Sequence, residues 1–251
     1  AGTAALRQYW ASGQATDLNW AVELWREALN LTSPDASERP ALLSNLGNGL
    51  RERYIHTGNL ADLQAVIACF QEALRFYTPE AAPLEYAHVQ NNLGAAYSEL
   101  PIGDRTANLE RAIAAFQQAL RFTPSNSPNQ PTWLNNLGIV LRTRYEHTGD
   151  LADLEAAITA FEQALQSTSP DRPAMLSNLG IGLHDHYAHT GDRADLEAAI
   201  TAFQQAVQTT PPDSPTQSAR LSNLASLYAD QGKYEQAEEL YQRALTLSLI
   251  H

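Results

Sequence analysis

The feature that most constrains this chain is a five-residue segment that returns along its length with small changes. Its clearest version is LNNLG at residues 134–138, and related segments lie at 43–47, 90–94, 176–180 and 221–225. The small residues that end these segments are separated by 47, 44, 42 and 45 residues. A near-constant period of this size indicates a chain of repeated supersecondary units, each of which packs on its neighbours.

The residues after each small position also repeat, and they predict a pair of helices. After Gly138 come Leu141 and Tyr145 at helical spacing, then a Thr-Gly-Asp turn, then Ala157 and Phe161 on a second helical stripe. We call the two helices of each unit helix A and helix B. The small residue of helix A is expected to let helix B approach closely, because a Cβ at that position would collide with it.

The order of small and aromatic positions resembles the tetratricopeptide repeat, whose pattern is W-x₂-L-G-x₂-Y, then A-x₃-F, then P. The last unit keeps the spacing of a 34-residue repeat, with 12 residues from Ala225 to Ala237, whereas Gly138 and Ala157 are 19 residues apart. The surplus is about one extra turn in each helix. The resemblance covers nearly the whole chain and implies an all-α, right-handed α-solenoid of about six antiparallel helix pairs. We predict one superhelix over residues 1–251, with units at approximately 4–34, 38–79, 83–124, 130–170, 172–211 and 215–248.

The third unit is expected to depart from its neighbours. It has Pro101-Ile102-Gly103-Asp104 where its relatives have Tyr-x-His-Thr-Gly-Asp. Proline cannot continue a helix interior, so helix A is predicted to end early and residues 100–108 to form the least regular turn.

Composition and charge narrow the function classes. The net charge of −12 argues against nucleic acid and against an anionic membrane surface as partners. No apolar run has the length of a membrane span, and a single cysteine suits a reducing compartment, so we predict a cytoplasmic protein without a disulfide. The chain has no initiator Met, which predicts a piece of a longer protein. Its ends are expected to expose apolar surface and to allow self-association, through Trp10, Trp20 and Trp25 in the first unit and Leu247, Leu249 and Ile250 in the last.

The chain shows no pattern typical of an enzyme, a metal site or a cofactor site. His56, His147 and His189 share one position near the end of helix A, and we interpret them as interacting with that helix terminus rather than binding a metal. Cys69 lies where other units have alanine, which favours a small buried side chain. We find no nucleophile motif and no phosphate loop, so no catalytic activity is predicted within this segment.

The sharpest candidate site is a row of asparagines. Each lies two residues before a small position: Asn45, Asn92, Asn136, Asn178 and Asn223. An amide offers a donor and an acceptor together, so a row of amides could hold the backbone of an extended peptide in a concave groove. The neighbouring Asn91 and Asn135 make the row more polar. The alternative is that each asparagine caps or bridges to a neighbouring helix and is structural.

Three basic residues lie four positions after the small residue and are predicted to line the groove: Arg51, Arg142 and His184. They could form a more basic wall within an acidic protein. Alternatively they pair with Glu52, Glu146 or Asp185 and form a solvated face.

Two functional resemblances follow from the motifs. The last unit, with SNLA at 222–225 and GKYEQAE at 232–238, resembles kinesin-light-chain repeats, in which groove asparagines hold cargo peptides. The longer units, with RTRYEHTGDLADL at 142–154, resemble arrays that precede bacterial CHAT domains, which are caspase-like proteases. These resemblances imply a scaffold or sensor that binds a protein or peptide and regulates an attached effector. The alternatives are a structural array that packs on a further domain of its own protein, and the sensor arm of a signalling ATPase.

Overall fold

The computed structural model describes residues 2–124 and 126–249, and within these ranges the only regular elements are α-helices. The chain divides into two compact parts, Ala1–Ser127 and Pro128–His251. We call these two parts the first and second unit, and we call each single repeat a helix pair. The helices of the first unit are α1 (Gly2–Ser12), α2 (Ala15–Leu31), α3 (Arg39–Thr57), α4 (Leu60–Ala73), α5 (Pro83–Glu99) and α6 (Arg105–Arg121). Those of the second are α7 (Gln130–Thr148), α8 (Leu151–Ala164), α9 (Arg172–Thr190), α10 (Arg193–Thr209), α11 (Gln217–Asp230) and α12 (Tyr234–Ser248).

Within each unit the odd-numbered helices are the predicted helices A and the even-numbered ones are the helices B. Within α1–α6 and within α7–α12, each helix packs on the next one along the chain, so three antiparallel pairs stack on one another in either unit. The predicted all-α fold of stacked helix pairs is therefore confirmed. That one superhelix runs through both units stays a prediction.

The close approach of the two helices in a pair depends on a small residue under an aromatic ring. A Cβ added to Gly138 would lie 2.5 Å from Phe161 Cε1, and one added to Gly180 would lie 2.6 Å from Phe203 Cδ2. Both rings are buried, with 1% of their surface exposed. The expected role of the small position is thus confirmed for Gly138 and Gly180, because even a methyl group there would overlap the ring.

The turn between the two helices follows from glycine and a capping side chain. Gly149 has a φ of 75°, a left-handed conformation that glycine adopts without strain, and it ends α7. The Asp150 side chain then accepts a hydrogen bond from the Ala152 N–H at 3.1 Å and caps α8. Gly58 with Asn59, and Gly191 with Asp192, repeat the arrangement.

The third pair departs from this pattern as predicted. Helix α5 ends at Glu99, and residues 100–104 form the connection instead of a two-residue turn. Pro101 lies directly after the last cap residue, Leu100, whose backbone is extended. Because proline has no N–H and disfavours a helical residue before it, the helix cannot continue to the usual glycine.

A buried asparagine stabilises this irregular turn. Asn108 exposes only 4% of its surface, and its Nδ2 donates to the carbonyl oxygens of Ile102 at 2.8 Å and Leu100 at 3.5 Å. In the second pair the residue near this place is Asp62, which is bound by Arg53 of helix A. The third pair lacks that arginine contact and has two free carbonyls instead, so a side chain with donors replaces the carboxylate.

The apolar residues near the ends are exposed only in part. Trp10 and Trp20 are largely exposed, with 65% and 64% of their surface accessible, and Leu249 is also exposed. The expectation for Trp25 is wrong, since it is the aromatic residue of the first pair and lies buried between Gly2 and Gly49. Leu247 is half-buried, and Ile250 lies outside the described residues. Self-association through these ends stays a prediction.

We expect Gly138→Ala to lower the melting temperature, although alanine in a helix interior ordinarily stabilises by ~1 kcal/mol relative to glycine. The added methyl group would overlap the Phe161 ring, and overpacking of this kind costs ~1–3 kcal/mol. Thermal unfolding followed by circular dichroism measures the effect.

The matched control is Gly182→Ala in α9, where the added Cβ would meet Ile158 Cγ1 at 3.3 Å, and here we expect little change. Combining Gly138→Ala with Phe161→Leu should recover part of the loss, because the smaller side chain removes the overlap. A Gly138→Ala variant as stable as the parent would contradict the role assigned to this position.

We expect Asn108→Asp to destabilise the protein, although the equivalent residue in the second, fourth and fifth helix pairs is an aspartate. The carboxylate would face two carbonyl oxygens that then lack a donor, and each such loss costs ~1–3 kcal/mol. The defect should shrink at acidic pH, because a protonated carboxyl can again donate a hydrogen bond.

The reciprocal change, Asp62→Asn, should also destabilise, because it leaves the Arg53 charge without its carboxylate. Urea unfolding at pH 4 and pH 7 measures both variants. An Asn108→Asp variant that keeps its stability at pH 7 would show that the two carbonyls are satisfied in another way.

Candidate partner-binding surface

The five asparagines of the predicted row lie at equivalent places on successive helices A, namely α3, α5, α7, α9 and α11. Each stands two residues before the small residue that packs under the aromatic ring, which is ~200° around the helix and turns it away from its own helix B. Asn223 is exposed and the other four are half-buried. The position therefore leaves the amides accessible on one surface of each unit.

Two of these amides bridge neighbouring helices A. Asn178 Nδ2 donates to Asn135 Oδ1 on α7 at 2.9 Å, and Asn92 Nδ2 donates to Asn48 Oδ1 on α3 at 3.0 Å. Asn92 Oδ1 also accepts a hydrogen bond from Asn91 at 3.1 Å. Such bridges are the arrangement that the structural alternative expects.

The asparagines of the row differ in how many hydrogen-bond donors and acceptors they leave unused within the protein. In the part of the chain that the structure describes, the side-chain amides of Asn45 and Asn223 make no hydrogen bond. Asn178 keeps one N–H and its carbonyl oxygen after bonding to Asn135. An amide has two donors and an acceptor with two lone pairs, so these three residues can bind a further group without losing an internal bond.

The three basic residues of the predicted wall are paired with carboxylates of the next helix A. Arg51 bonds to Glu99 of α5, and His184 Nε2 lies 2.7 Å from Asp230 Oδ2 of α11. Arg142 Nε bonds to Asp185 Oδ2 of α9 at 2.7 Å. Each acidic partner comes five residues after its own small position, so the predicted wall is a series of side-chain contacts between repeats, and the two that involve arginine are ion pairs.

The sequence suggested three ion pairs between side chains of the same helix, and only the one between Arg142 and Glu146 is present. Arg142 Nη2 bonds to Glu146 Oε1 at 2.5 Å, whereas Arg51 pairs with Glu99 rather than with Glu52. The complementary signal was in the sequence, as a basic residue four places and an acidic residue five places after successive small positions. Half-exposed pairs of this kind contribute only ~0–1 kcal/mol each, so they mainly set the charge of the surface.

Two of the three histidines near the ends of helices A, His56 and His189, contact a tyrosine of the preceding pair. Tyr9 Oη lies 2.7 Å from His56 Nε2, and the two rings meet edge to face at 5.6 Å. His56 Nδ1 lies 2.9 Å from the Glu52 carbonyl, so His56 does interact with its helix terminus as expected. Tyr145 and His189 form the same edge contact at 6.3 Å in the second unit. Across residues 2–124 and 126–249, no group of three or more His, Cys, Asp or Glu side chains is arranged to hold a metal ion.

The second, fourth and fifth helix pairs also contain a polar contact that the sequence analysis did not predict. Arg53 forms two hydrogen bonds with Asp62, nine residues later, at 2.7 and 2.6 Å, and Asp62 is almost fully buried at the start of α4. These bonds raise the pKa of Arg53. Arg144 with Asp153, and His186 with Asp195, repeat the spacing. The contact joins the end of helix A to the start of helix B and leaves these charges unavailable to a partner.

Cys69 is a buried core residue, as predicted. Burial is the main reason why the pKa of its thiol is raised to about 11. At neutral pH the group is therefore an un-ionised thiol, which is a poor nucleophile.

Comparisons with known proteins agree with this geometry. Sequence models of the tetratricopeptide repeat match residues 132–171 and 182–249. A search of curated protein sequences finds no match. Among the helices that the structure describes, none is both long and apolar enough to cross a membrane.

Solved structures with the same fold are similar over most of the chain. BtubC (BKLC) from P. vanneervenii has a TM-score of 0.66 at 19% identity, with 94% of this chain and 89% of that chain covered. A putative kinesin light chain from Podosopora anserina with nearly identical TPR-like repeats has a TM-score of 0.61 at 18% identity, covering 84% and 96%. A tetratricopeptide repeat protein from Parabacteroides merdae has a TM-score of 0.61 at 18% identity, covering 98% and 80%.

The described helices themselves repeat one arrangement. The described helices pair as A and B, a small residue lies under an aromatic ring, and the pairs stack with a repeating polar face. Together with the matched sequence models, these features identify residues 132–171 and 182–249 as tetratricopeptide repeats, and the other described helix pairs share their fold.

Proposed function

We propose that this array binds an extended segment of a partner protein along the helix-A face of its units, with the asparagine amides bonded to the segment's backbone. Tetratricopeptide repeats are in general protein-binding scaffolds, and the fold supports that role. The observation that carries the finer proposal is the unused hydrogen-bonding capacity at Asn45, Asn178 and Asn223. An extended backbone presents one donor and one acceptor per residue, which side-chain amides match.

The charge of the surface supports recognition through amides rather than through a basic wall. The basic side chains beside the asparagines, Arg51, Arg142 and His184, already contact Glu99, Asp185 and Asp230. A partner would gain little from displacing these pairs. Amides that bond to a backbone do not read side chains, so side-chain selectivity has to come from other residues of the face.

Regulation of an effector is a further part of the proposal. It rests on the resemblance of the longer repeats to arrays beside CHAT proteases. The alternative is that the array is the sensor arm of a signalling ATPase, which is also an attached effector. Sequencing the complete gene tests it. A protease domain after residue 251 would support the first form, and a nucleotide-binding domain before residue 1 the second. A complete gene that encodes neither domain, nor another effector, would contradict regulation in cis.

The competing candidate is a structural role for the asparagines. The bridges from Asn92 to Asn48 and from Asn178 to Asn135 favour it, because each joins two repeats. The two roles are separable, since Asn223 occupies the same position and makes no such bridge.

We expect Asn223→Ala to weaken partner binding by about fivefold without changing the melting temperature. A hydrogen bond of this kind contributes ~1 kcal/mol net, and ~1.4 kcal/mol corresponds to a factor of ten. The partner is first obtained by affinity capture with the chain, and its binding segment is then measured by calorimetry.

The matched variant is Asn178→Ala, which should lower both affinity and melting temperature because it also removes the bridge to Asn135. If Asn223→Ala and Asn45→Ala both bind normally, the asparagine row is not the binding surface. If only Asn178→Ala loses affinity, and in proportion to its loss of folded protein, the structural role is correct.

A further inference from the structure

Arg220 occupies a position that is apolar in the other complete helix pairs. It stands five residues before the small residue Ala225, and the equivalent residues are Leu42, Val89, Trp133 and Met175. Of these, Val89, Trp133 and Met175 are buried, and Leu42 is half-buried. A charged guanidinium therefore replaces a core-facing side chain in one repeat of the second unit.

The guanidinium of Arg220 is held by hydroxyl groups rather than by a carboxylate. Its Nε donates to Ser177 Oγ at 3.1 Å, and its Nη1 donates to Thr210 Oγ1 at 2.7 Å and Thr216 Oγ1 at 2.5 Å. The two N–H groups of Nη2 have no acceptor among the described residues. No acidic side chain within those ranges lies at ion-pair distance from Arg220, in contrast to Arg142 on α7.

The surroundings leave this charge only partly compensated. Burial lowers the pKa of Arg220, although an arginine remains protonated at any physiological pH. Removing a cation from water without supplying an anion is unfavourable. An oxyanion placed against Nη2 would accept a charge-assisted hydrogen bond from it and restore the lost interaction.

A cavity of about 210 Å³ lies beside this group and contains room for such an anion. Thr216, Ser214 and Thr210 contribute hydroxyls to its wall, and Arg220 lines it as well. Thr216 precedes α11 and does not cap it with its side chain, so the first N–H groups of that helix add a partial positive charge. Asp171 lines the same cavity and opposes an anion there.

We propose that Arg220, with the hydroxyls of Ser214 and Thr216, forms a subsite for an oxyanion of the bound partner, either a carboxylate or a phosphate group. The subsite adjoins the asparagine row, because Ser177 is the residue directly before Asn178. It supplies the side-chain selectivity that the amides lack, by favouring a segment that is acidic or phosphorylated at one point. The assignment to a partner rests on the proposed function, whereas binding of a free oxyanion does not.

The test uses inorganic phosphate and acetate as probes on the intact chain. Arginine Nε–Hε signals are followed by nuclear magnetic resonance at constant ionic strength, with the Arg220 signal assigned by its loss in Arg220→Met. We expect the Arg220 signal to shift and saturate with phosphate, acetate or both, and the signal of the exposed Arg193 to move little. A saturating shift with acetate but not phosphate identifies a carboxylate, and the reverse identifies a phosphate group. If neither probe gives a saturating shift, the subsite does not exist.

Two variants separate binding from folding. Arg220→Met introduces the side chain that stands at 175 in the preceding repeat, so we expect it to fold with an unchanged or higher melting temperature and to lose the extra stabilisation by the preferred probe. If it fails to fold, Arg220→Gln takes its place. Asp171→Asn should tighten probe binding severalfold, since it removes the opposing charge. If Asp171→Asn instead weakens binding and lowers the melting temperature, Asp171 is the resident partner of Arg220 and the proposal is wrong.

The partner segment provides the final comparison. With that segment, Arg220→Met should weaken binding about tenfold, and replacing the segment's acidic group should abolish the difference between parent and variant. Normal binding by Arg220→Met beside impaired binding by Asn223→Ala would overturn the subsite and leave the groove proposal intact. The opposite result would retain the subsite and overturn the row of amides.

Discussion

The contact on which the first five helix pairs depend is an aromatic ring of helix B pressed against a glycine of helix A. Removing the Cβ from helix A lets the ring lie directly on the backbone, where it excludes water and makes dispersion contacts over its whole face. The next helix A covers the second face of the ring, as Gly49 does for Trp25 and Gly182 for Phe161. One ring thus joins three helices. Helix α12, the last helix that the structure describes, carries Tyr241 at the position of this ring. There 45% of the surface of the tyrosine is exposed.

The polar contacts build on this packing and determine what the surface offers. Buried bonds such as Arg53 to Asp62 join the two helices of a pair, and half-exposed ion pairs such as Arg142 to Asp185 join successive helices A. The second kind involves Arg51 and Arg142, which the sequence analysis placed in the wall of the groove. Among the described residues of the helix-A face, Asn45 and Asn223 have side-chain amides without an internal hydrogen bond, and Nη2 of Arg220 has no acceptor. The surface is therefore suited to a backbone and one anion, rather than to a strongly acidic partner.

The sequence predicts well those features that depend on backbone geometry. The small residue under the ring, the left-handed glycine at 149 and the early helix end before Pro101 all follow from sterics that are local in sequence. Contacts between repeats are harder to predict from the sequence, because they depend on how far neighbouring helices A are offset. Arg51 was compared with Glu52 on its own helix, whereas its partner Glu99 lies one repeat away.

The same limit applies to burial and to the candidate site. Trp25 was expected to be exposed, but it is the ring of the first pair, a role that the small residue Gly2 reveals once the period is extended to residue 2. The hydrogen bond from Asn92 to Asn48 could not be derived from their spacing in the sequence, since it requires the two amides to face each other between α3 and α5. Which asparagines retain free donors is consequently a result of the structure, while their shared helix face was evident from the sequence.

The central claim is that a partner contacts the helix-A amides directly. The most direct measurement is the side-chain amide spectrum of the chain, recorded by nuclear magnetic resonance with and without the captured partner segment. The account predicts that the Asn223 and Asn45 NH₂ signals shift and exchange more slowly with solvent, because they become donors to the bound backbone. Signals from the exposed face of the helices B should stay in place. Perturbation confined to helix-B residues, with the asparagine amides unchanged, would contradict the account.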